Sequence, residues 1–157
     1  MPVKPHPSPM DRIPPPLLFV GSFLLGWWAQ RALWPVERPL PAALAAAGAV
    51  LLAGGLAMSL PAIVLFATAR TSIVPHREPA RLVVRGPFRV TRNPMYVGLC
   101  VAYLGAAVWT RAWLAVPLLA IPVAALARWV IPAEESQMRA RFGADYQAYC
   151  ARVRRWL

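Results

Sequence analysis

Residues 85–98 read RGPFRVTRNPMYVG and join a long arginine-rich connection to an apolar segment. Pro94 suits the first position of a helix, because its φ is already helical and that position needs no backbone N–H. Asn93 is a residue type that caps a helix by accepting a hydrogen bond from a free N–H. The first turn carries partial positive charge next to Arg89 and Arg92. The stretch therefore predicts a helix start that either anchors a membrane helix or binds carboxylate or phosphate groups.

The composition around this stretch is typical of a membrane protein. Of the 157 residues, 59% are apolar and only 15% are charged, and the length allows one domain. The net charge of +11 would suggest nucleic acid in a soluble protein. Here the arginines lie beside apolar runs, so membrane lipids are the expected partners and nucleic acid is not. Cys100 and Cys150 form no metal or redox spacing, and neither a metal site nor a disulfide framework is expected.

Four apolar segments approach the length that crosses a bilayer, which is about 20 residues at ~1.5 Å each. They cover residues 17–34, 42–69, 94–109 and 113–131. The last two are joined by Thr110-Arg111-Ala112 and are expected to form a helical hairpin. The second is rich in small residues that allow close helix packing, namely Ala45, Ala46, Ala47, Gly48, Gly54 and Gly55. Residues 1–16 contain seven prolines and are expected to be a disordered tail.

The end of the chain is expected to be an amphipathic helix. Pro132 is expected to end the fourth segment. Residues 133–157 then carry apolar side chains at three- and four-residue steps, at Met138, Phe142, Tyr146 and Tyr149. The predicted fold class is all-α: a membrane bundle of about four transmembrane helices plus this helix. Residues 17–157 are expected to form one domain.

The distribution of lysine and arginine predicts the orientation. With four spans and a cytoplasmic N-terminus, 14 of the 17 face the cytoplasm, and only Arg31, Arg38 and Arg111 lie outside. We therefore expect a multi-pass protein with both termini in the cytoplasm, and the expected location is a bacterial inner membrane.

A second candidate site is Glu134-Glu135, directly after the fourth segment. Adjacent carboxylates point in different directions on a helix, so they are not a paired acid–base device. Two interpretations stay open. Both acids could complement the dipole at a helix start, or one could turn inward and bind a cation or an arginine.

The order of these motifs resembles the isoprenylcysteine carboxyl methyltransferase family, whose relatives include the phospholipid N-methyltransferases. The resemblance covers roughly residues 80–155 and rests on Gly86-Pro87-Phe88, Arg92-Asn93-Pro94-Met95-Tyr96-Val97-Gly98, Glu134-Glu135, Phe142-Gly143, Tyr146, Tyr149 and Val153. It implies a membrane-embedded helical bundle that uses S-adenosylmethionine, without the Rossmann-type fold of other methyltransferases. The catalytic part would span about residues 70–157.

The resemblance also implies site residues. The methyl donor would enter from the cytoplasm and be held by Arg81, Leu82, Val83, Phe88, Asn93, Pro94, Met95, Tyr96 and Glu134. The candidates for aligning donor and acceptor would be Arg92, Asn93 and Glu134. The chain departs from the family at Asn93, where relatives commonly have histidine. It departs again at Val130, where they have a substrate-binding arginine, and Arg128 is the nearby candidate for that role.

The expected activity is methyl transfer from S-adenosylmethionine to an amphiphilic or lipid-soluble acceptor that arrives from the bilayer. The acceptor classes are an isoprenylcysteine-like carboxylate, a phospholipid amine or a small thiol. One alternative is an NADPH-dependent reductase of the sterol-reductase kind, which has a similar arginine–proline–tyrosine motif. The other is a membrane protein that retains the fold without enzymatic activity.

Overall fold

The computed structural model describes residues 14–36, 39–68 and 82–157, with only the backbone for 61–63 and 65–68. These residues are all-helical and include no strand, which confirms the predicted fold class. The helices are α1 (Pro15–Leu33), α2 (Ala42–Thr68), α3 (Pro94–Thr110), α4 (Ala115–Leu118), α5 (Ala120–Ala125) and α6 (Ile131–Arg152). A 3-10 turn, Gly86–Arg89, precedes α3, and a π-helical turn, Leu126–Val130, joins α5 to α6.

Within the described part of the chain, two helical stretches are long and apolar enough to cross a membrane. They are Ala42–Leu60 within α2, with mean hydropathy 2.0, and the continuous run Ala115–Arg152, with 1.8. Only 17% and 28% of these apolar windows are buried inside the protein, so most of their surface faces outward. α3 is apolar but has only 17 residues. For α1 and α3, membrane crossing stays a prediction.

The first helix begins inside the predicted tail. We expected residues 1–16 to be disordered, but α1 starts at Pro15, while residues 1–13 lie outside the described part of the chain. Proline is well suited to the first turn of a helix, where its missing N–H is not needed. The prolines at 15 and 16 therefore begin the helix that the apolar run continues.

Glycines bring α2 and α3 into backbone contact. At Gly48 and Gly55 of α2, and at Gly98 and Gly105 of α3, an added Cβ would approach the other helix more closely than real Cβ atoms do. Gly54 faces open space. The predicted small-residue packing is therefore present, and it uses the glycines spaced seven residues apart.

The hairpin turn after α3 is as tight as predicted. Arg111 adopts left-handed φ 60° and ψ 30°, and the Ala112 N–H donates to the Ala107 carbonyl at 2.8 Å. α1 packs beside this hairpin, where Phe19 and Phe23 each meet the ring of Tyr103 edge-on. This aromatic group forms the centre of the core.

Pro132 does not end the fourth helix, contrary to the sequence-based prediction. The backbone stays helical at Val130 and Ile131, and the helix runs on into α6. A proline inside an α-helix loses one hydrogen bond, and its ring meets the carbonyl four residues earlier. The π-helical turn before Pro132 widens the helix at that carbonyl, which accommodates the ring. The acid pair Glu134-Glu135 is thereby carried on a continuous helix.

The last helix ends earlier than predicted. It has a break at Gly143, whose φ of 48° and ψ of −117° favour glycine, and it stops at Arg152 instead of reaching residue 157. Val153 is extended, and the carbonyls of Arg154 and Arg155 accept hydrogen bonds from the loop before α3. Those contacts require backbone carbonyls outside a helix, and residues 153–157 supply them. The predicted apolar face is present, as a cluster of Tyr146, Tyr149, Val153, Leu82, Met138, Phe142 and Cys150.

Candidate functional site

The start of α3, the acid pair and residues 153–157 meet at one end of the bundle. α3 begins at Pro94, as predicted. Asn93 occupies the capping position, but its side chain makes no capping hydrogen bond, so the predicted cap is wrong. Its Nδ2 instead donates to the Arg155 carbonyl at 2.8 Å, and its own N–H donates to the Thr91 hydroxyl at 3.1 Å. Asn93 is only 9% exposed, so its side-chain amide needs a hydrogen-bond partner inside the protein. The Arg155 carbonyl is that partner.

Tyr96 and Glu134 form a direct contact. The Tyr96 side chain is 3% exposed, and its hydroxyl donates to Oε1 of Glu134 at 2.6 Å. A buried tyrosine hydroxyl needs such an acceptor. Glu134 itself is exposed. The contact therefore holds one carboxylate oxygen of an otherwise exposed residue against a buried phenol.

Glu135 has the opposite environment. It is 4% exposed and receives two hydrogen bonds from Arg155, Nε to Oε1 at 3.0 Å and Nη2 to Oε2 at 2.7 Å. Arg92 and Arg139 each approach the same carboxylate at 3.3 Å. The bonds to Glu135 raise the pKa of the Arg155 guanidinium. Of the two open interpretations of the acid pair, the structure favours the second, because Glu135 turns inward and binds arginines.

Arg92 is directed into the protein. Its side chain is 14% exposed, and besides Glu135 its Nη1 contacts the Cys150 sulfur at 2.6 Å. Its Nε is buried and has no hydrogen-bond partner within the described residues. Arg92 therefore stabilises the buried member of the acid pair, Glu135.

The other predicted site residues lie around this end. Phe88 is buried, and its carbonyl accepts the Tyr149 hydroxyl at 2.7 Å. Pro94 is buried, while Leu82, Val83 and Met95 are half-buried, and Arg81 lies outside the described residues. Arg128 is exposed on the π-helical turn, six residues before Glu134, and Val130 packs against the core. The exposed arginines of the neighbouring segments are Arg85, Arg89, Arg139, Arg141, Arg152 and Arg154.

Sequence reasoning missed Arg155 and Thr91. The C-terminal arginines entered the sequence analysis only as charge, because the partners of Arg155 are distant in the chain: its guanidinium binds Glu135, 20 residues away, and its carbonyl binds loop residues more than 60 residues away. The only available signal was that Arg155 is one of three arginines near the end of an otherwise amphipathic segment.

The helices and the arginine-lined end define a helical protein associated with membranes. The chain belongs to the phospholipid methyltransferase family, whose model matches residues 43–145, more than half of its length. It is therefore a membrane methyltransferase, in agreement with the resemblance carried by the motifs. Comparison with curated proteins and with solved structures gave no match. The matched region includes Tyr96 and Glu134 and ends before Arg155.

Proposed function

We propose that the protein transfers a methyl group from S-adenosylmethionine to a lipid-soluble acceptor. The observation that carries the proposal is the Tyr96–Glu134 contact, which fixes the carboxylate of Glu134 at the arginine-lined end of a membrane methyltransferase. The donor has an α-ammonium and ribose hydroxyls, and a fixed carboxylate can accept charge-assisted hydrogen bonds from both.

The remaining groups of the donor also fit the residues present. The first turn of α3 has N–H groups that the helix does not use, which suits the donor carboxylate, and exposed Arg89 lies on the preceding turn. Arg92 is occupied by Glu135, so we assign it a supporting role. The half-buried side chains of Leu82 and Met95 offer apolar surface for the adenine.

When bound, the donor supplies a methyl group on a sulfonium sulfur, and transfer is a direct displacement that leaves a neutral thioether. The protein then has to align donor and acceptor and exclude water. Tyr96 and Glu134 hold the cationic end of the donor. Asn93 cannot titrate near neutrality, so it takes no proton from the acceptor.

The acceptor is proposed to be a phospholipid amine, because the matched family is described by phospholipid methylation. Its tail would reach the site along the outward-facing surfaces of Ala42–Leu60 and Ala115–Arg152, most of which is unburied. We place the arginine-lined end and both termini in the cytoplasm, where the water-soluble donor is found, in a multi-pass arrangement.

A methyl-transfer assay tests this proposal. Purified protein in detergent is incubated with S-adenosylmethionine labelled in its methyl group and, in separate reactions, with phosphatidylethanolamine, an isoprenylcysteine analogue or a small thiol. We expect label in the phospholipid, and much less with Glu134→Gln. Label in another acceptor would correct the substrate class, and label in none would contradict the proposed activity.

A further inference from the structure

We propose that Arg155 is a positioning residue that links the start of α3 to the acid pair and so sets the separation of Tyr96 from Glu134. The inference rests on the proposed function, because it concerns the same donor site. Arg155 lies outside residues 43–145, the region that the family model matches. No motif of the sequence analysis included it.

The side chain of Arg155 binds Glu135, the buried member of the acid pair. Its guanidinium donates two parallel hydrogen bonds, at 3.0 and 2.7 Å, to the two oxygens of Glu135. This two-point contact fixes the orientation of the carboxylate, which a single-point contact from lysine could not do. Glu134 is the preceding residue on the same helix, so its position follows that of Glu135.

The backbone of Arg155 binds the loop before α3. The Arg155 carbonyl accepts Nδ2 of Asn93 at 2.8 Å and the Thr91 hydroxyl at 3.1 Å. Next to it, the Arg154 carbonyl accepts the Arg92 N–H at 2.9 Å. Residues 154 and 155 therefore fix the loop that leads directly into α3.

Together these contacts connect the loop before α3 to Glu135 of α6, next to the Tyr96–Glu134 hydrogen bond. Tyr96 lies three residues after Asn93, and Glu134 lies next to Glu135, so Arg155 joins the two backbones that carry the contact. Without its side chain, Glu135 keeps Arg92 and Arg139 as cationic partners. The protein should therefore stay folded while the acid pair loses its fixed distance from α3.

The test compares Arg155→Ala with Arg152→Ala in the full chain purified in detergent. Arg152 is exposed and belongs to the same end of the chain. Among the described residues, its side chain contacts only the Ala148 carbonyl of its own helix, at 3.2 Å. Both changes remove one positive charge near the site. We expect Arg155→Ala to weaken S-adenosylmethionine binding about tenfold, and Arg152→Ala to change it by less than about twofold. Arg155→Lys should fall between Arg155→Ala and the wild type.

Hydrogen exchange at residues 91–97 is measured on the same samples, because it needs no donor. We expect faster exchange there in Arg155→Ala than in Arg152→Ala. Unchanged exchange, or lowered thermal stability with unchanged donor affinity, would overturn the positioning role. If Arg155→Ala does not fold, Arg155→Lys gives the same comparison. A wild-type protein that binds no donor would contradict the proposed function, and the exchange result would still decide the role of Arg155.

Discussion

Glu134 and Glu135 are adjacent in sequence but have different partners. Glu135 is buried among arginines, whereas Glu134 is exposed and receives one hydrogen bond from Tyr96. A buried carboxylate with guanidinium partners stabilises the fold only while both sides are present. An exposed carboxylate held in place can bind a ligand. The two residues should therefore respond differently to the same substitution.

Glu134→Gln should weaken S-adenosylmethionine binding tenfold or more, since a hydrogen bond to a charged group contributes roughly 1.5–3 kcal/mol. Glu135→Gln should lower thermal stability more than Glu134→Gln does, because it leaves Arg92 and Arg155 close together without a carboxylate. It should weaken donor binding less than Glu134→Gln does, because the amide oxygen can still accept a hydrogen bond from Arg155. Donor affinity and the unfolding temperature are measured for both variants. Equal losses of donor affinity would contradict the division of roles.

Tyr96→Phe should weaken donor binding several-fold, because the ring still fills the core but Glu134 loses the hydroxyl that orients it. The control is Tyr103→Phe, which removes another buried hydroxyl, the one that donates to the Ala115 carbonyl at 2.8 Å. Each change should cost about 1 kcal/mol of stability. A similar loss of donor affinity in both variants would mean that Tyr96 is only a packing residue.

Asn93→Ala should weaken donor binding, because it removes the hydrogen bond that the Asn93 side chain donates to the Arg155 carbonyl. Asn93→His should keep donor binding within a few-fold at neutral pH but add a pH dependence beyond that of the wild type. The imidazole has an ordinary pKa of ~6.5, which nearby Arg92 and Arg155 should lower. A cation beside a sulfonium opposes binding, so donor affinity should fall as the pH falls through that pKa.

The pH dependence is measured as the donor dissociation constant of Asn93→His relative to the wild type between about pH 5 and 8. Wild-type affinity in Asn93→Ala would show that position 93 does not support the donor site. A flat relative pH profile in Asn93→His would show that the side chain lies too far from the bound sulfonium.

For single residues, the sequence predicted local backbone preferences but not hydrogen-bond partners that lie far away in the chain. The start of α3 at Pro94 was predictable, because the proline ring already fixes a helical φ. The partner of Asn93 does not, since the Arg155 carbonyl is 62 residues away and competes with the local cap. The sequence likewise placed Glu134 beside Glu135 without indicating which of them is buried.

The packing of α2 on α3 is the clearest feature at the level of elements. Gly55→Ala should destabilise the protein by about 1–3 kcal/mol, because the new methyl group would meet the backbone at Ala102. Gly54→Ala is the control, since that position faces open space and alanine favours the helix by up to ~1 kcal/mol. Thermal unfolding in detergent measures both. If Gly55→Ala is as stable as Gly54→Ala, the helices are not in backbone contact.

Helix limits were predictable where apolar runs met prolines and polar residues, as at Ala42 and Pro94. The rule that proline ends a helix failed at Pro132, because a π-helical turn accommodates the ring and the helix continues. The rule also does not account for the end of α6 at Arg152. There the carbonyls of residues 154 and 155 pair with a distant loop, which a pattern along one segment does not show.

At the level of the whole molecule, an apolar helical body carries a polar end lined by arginines. The body contains two helical stretches apolar enough to cross a membrane. The polar end places the fixed carboxylate of Glu134 next to a helix start. That combination suits a water-soluble cationic donor at one side and a lipid-soluble acceptor at the other. Composition predicted the body, and motif order predicted the family.

Equilibrium binding of S-adenosylmethionine and of NADPH to the purified protein in detergent tests the donor assignment most directly. We predict saturable binding of S-adenosylmethionine, which Glu134→Gln weakens and Arg152→Ala leaves nearly unchanged. NADPH should not compete for that site. Saturable NADPH binding without any binding of S-adenosylmethionine would contradict the methyl-donor site and favour a reductase.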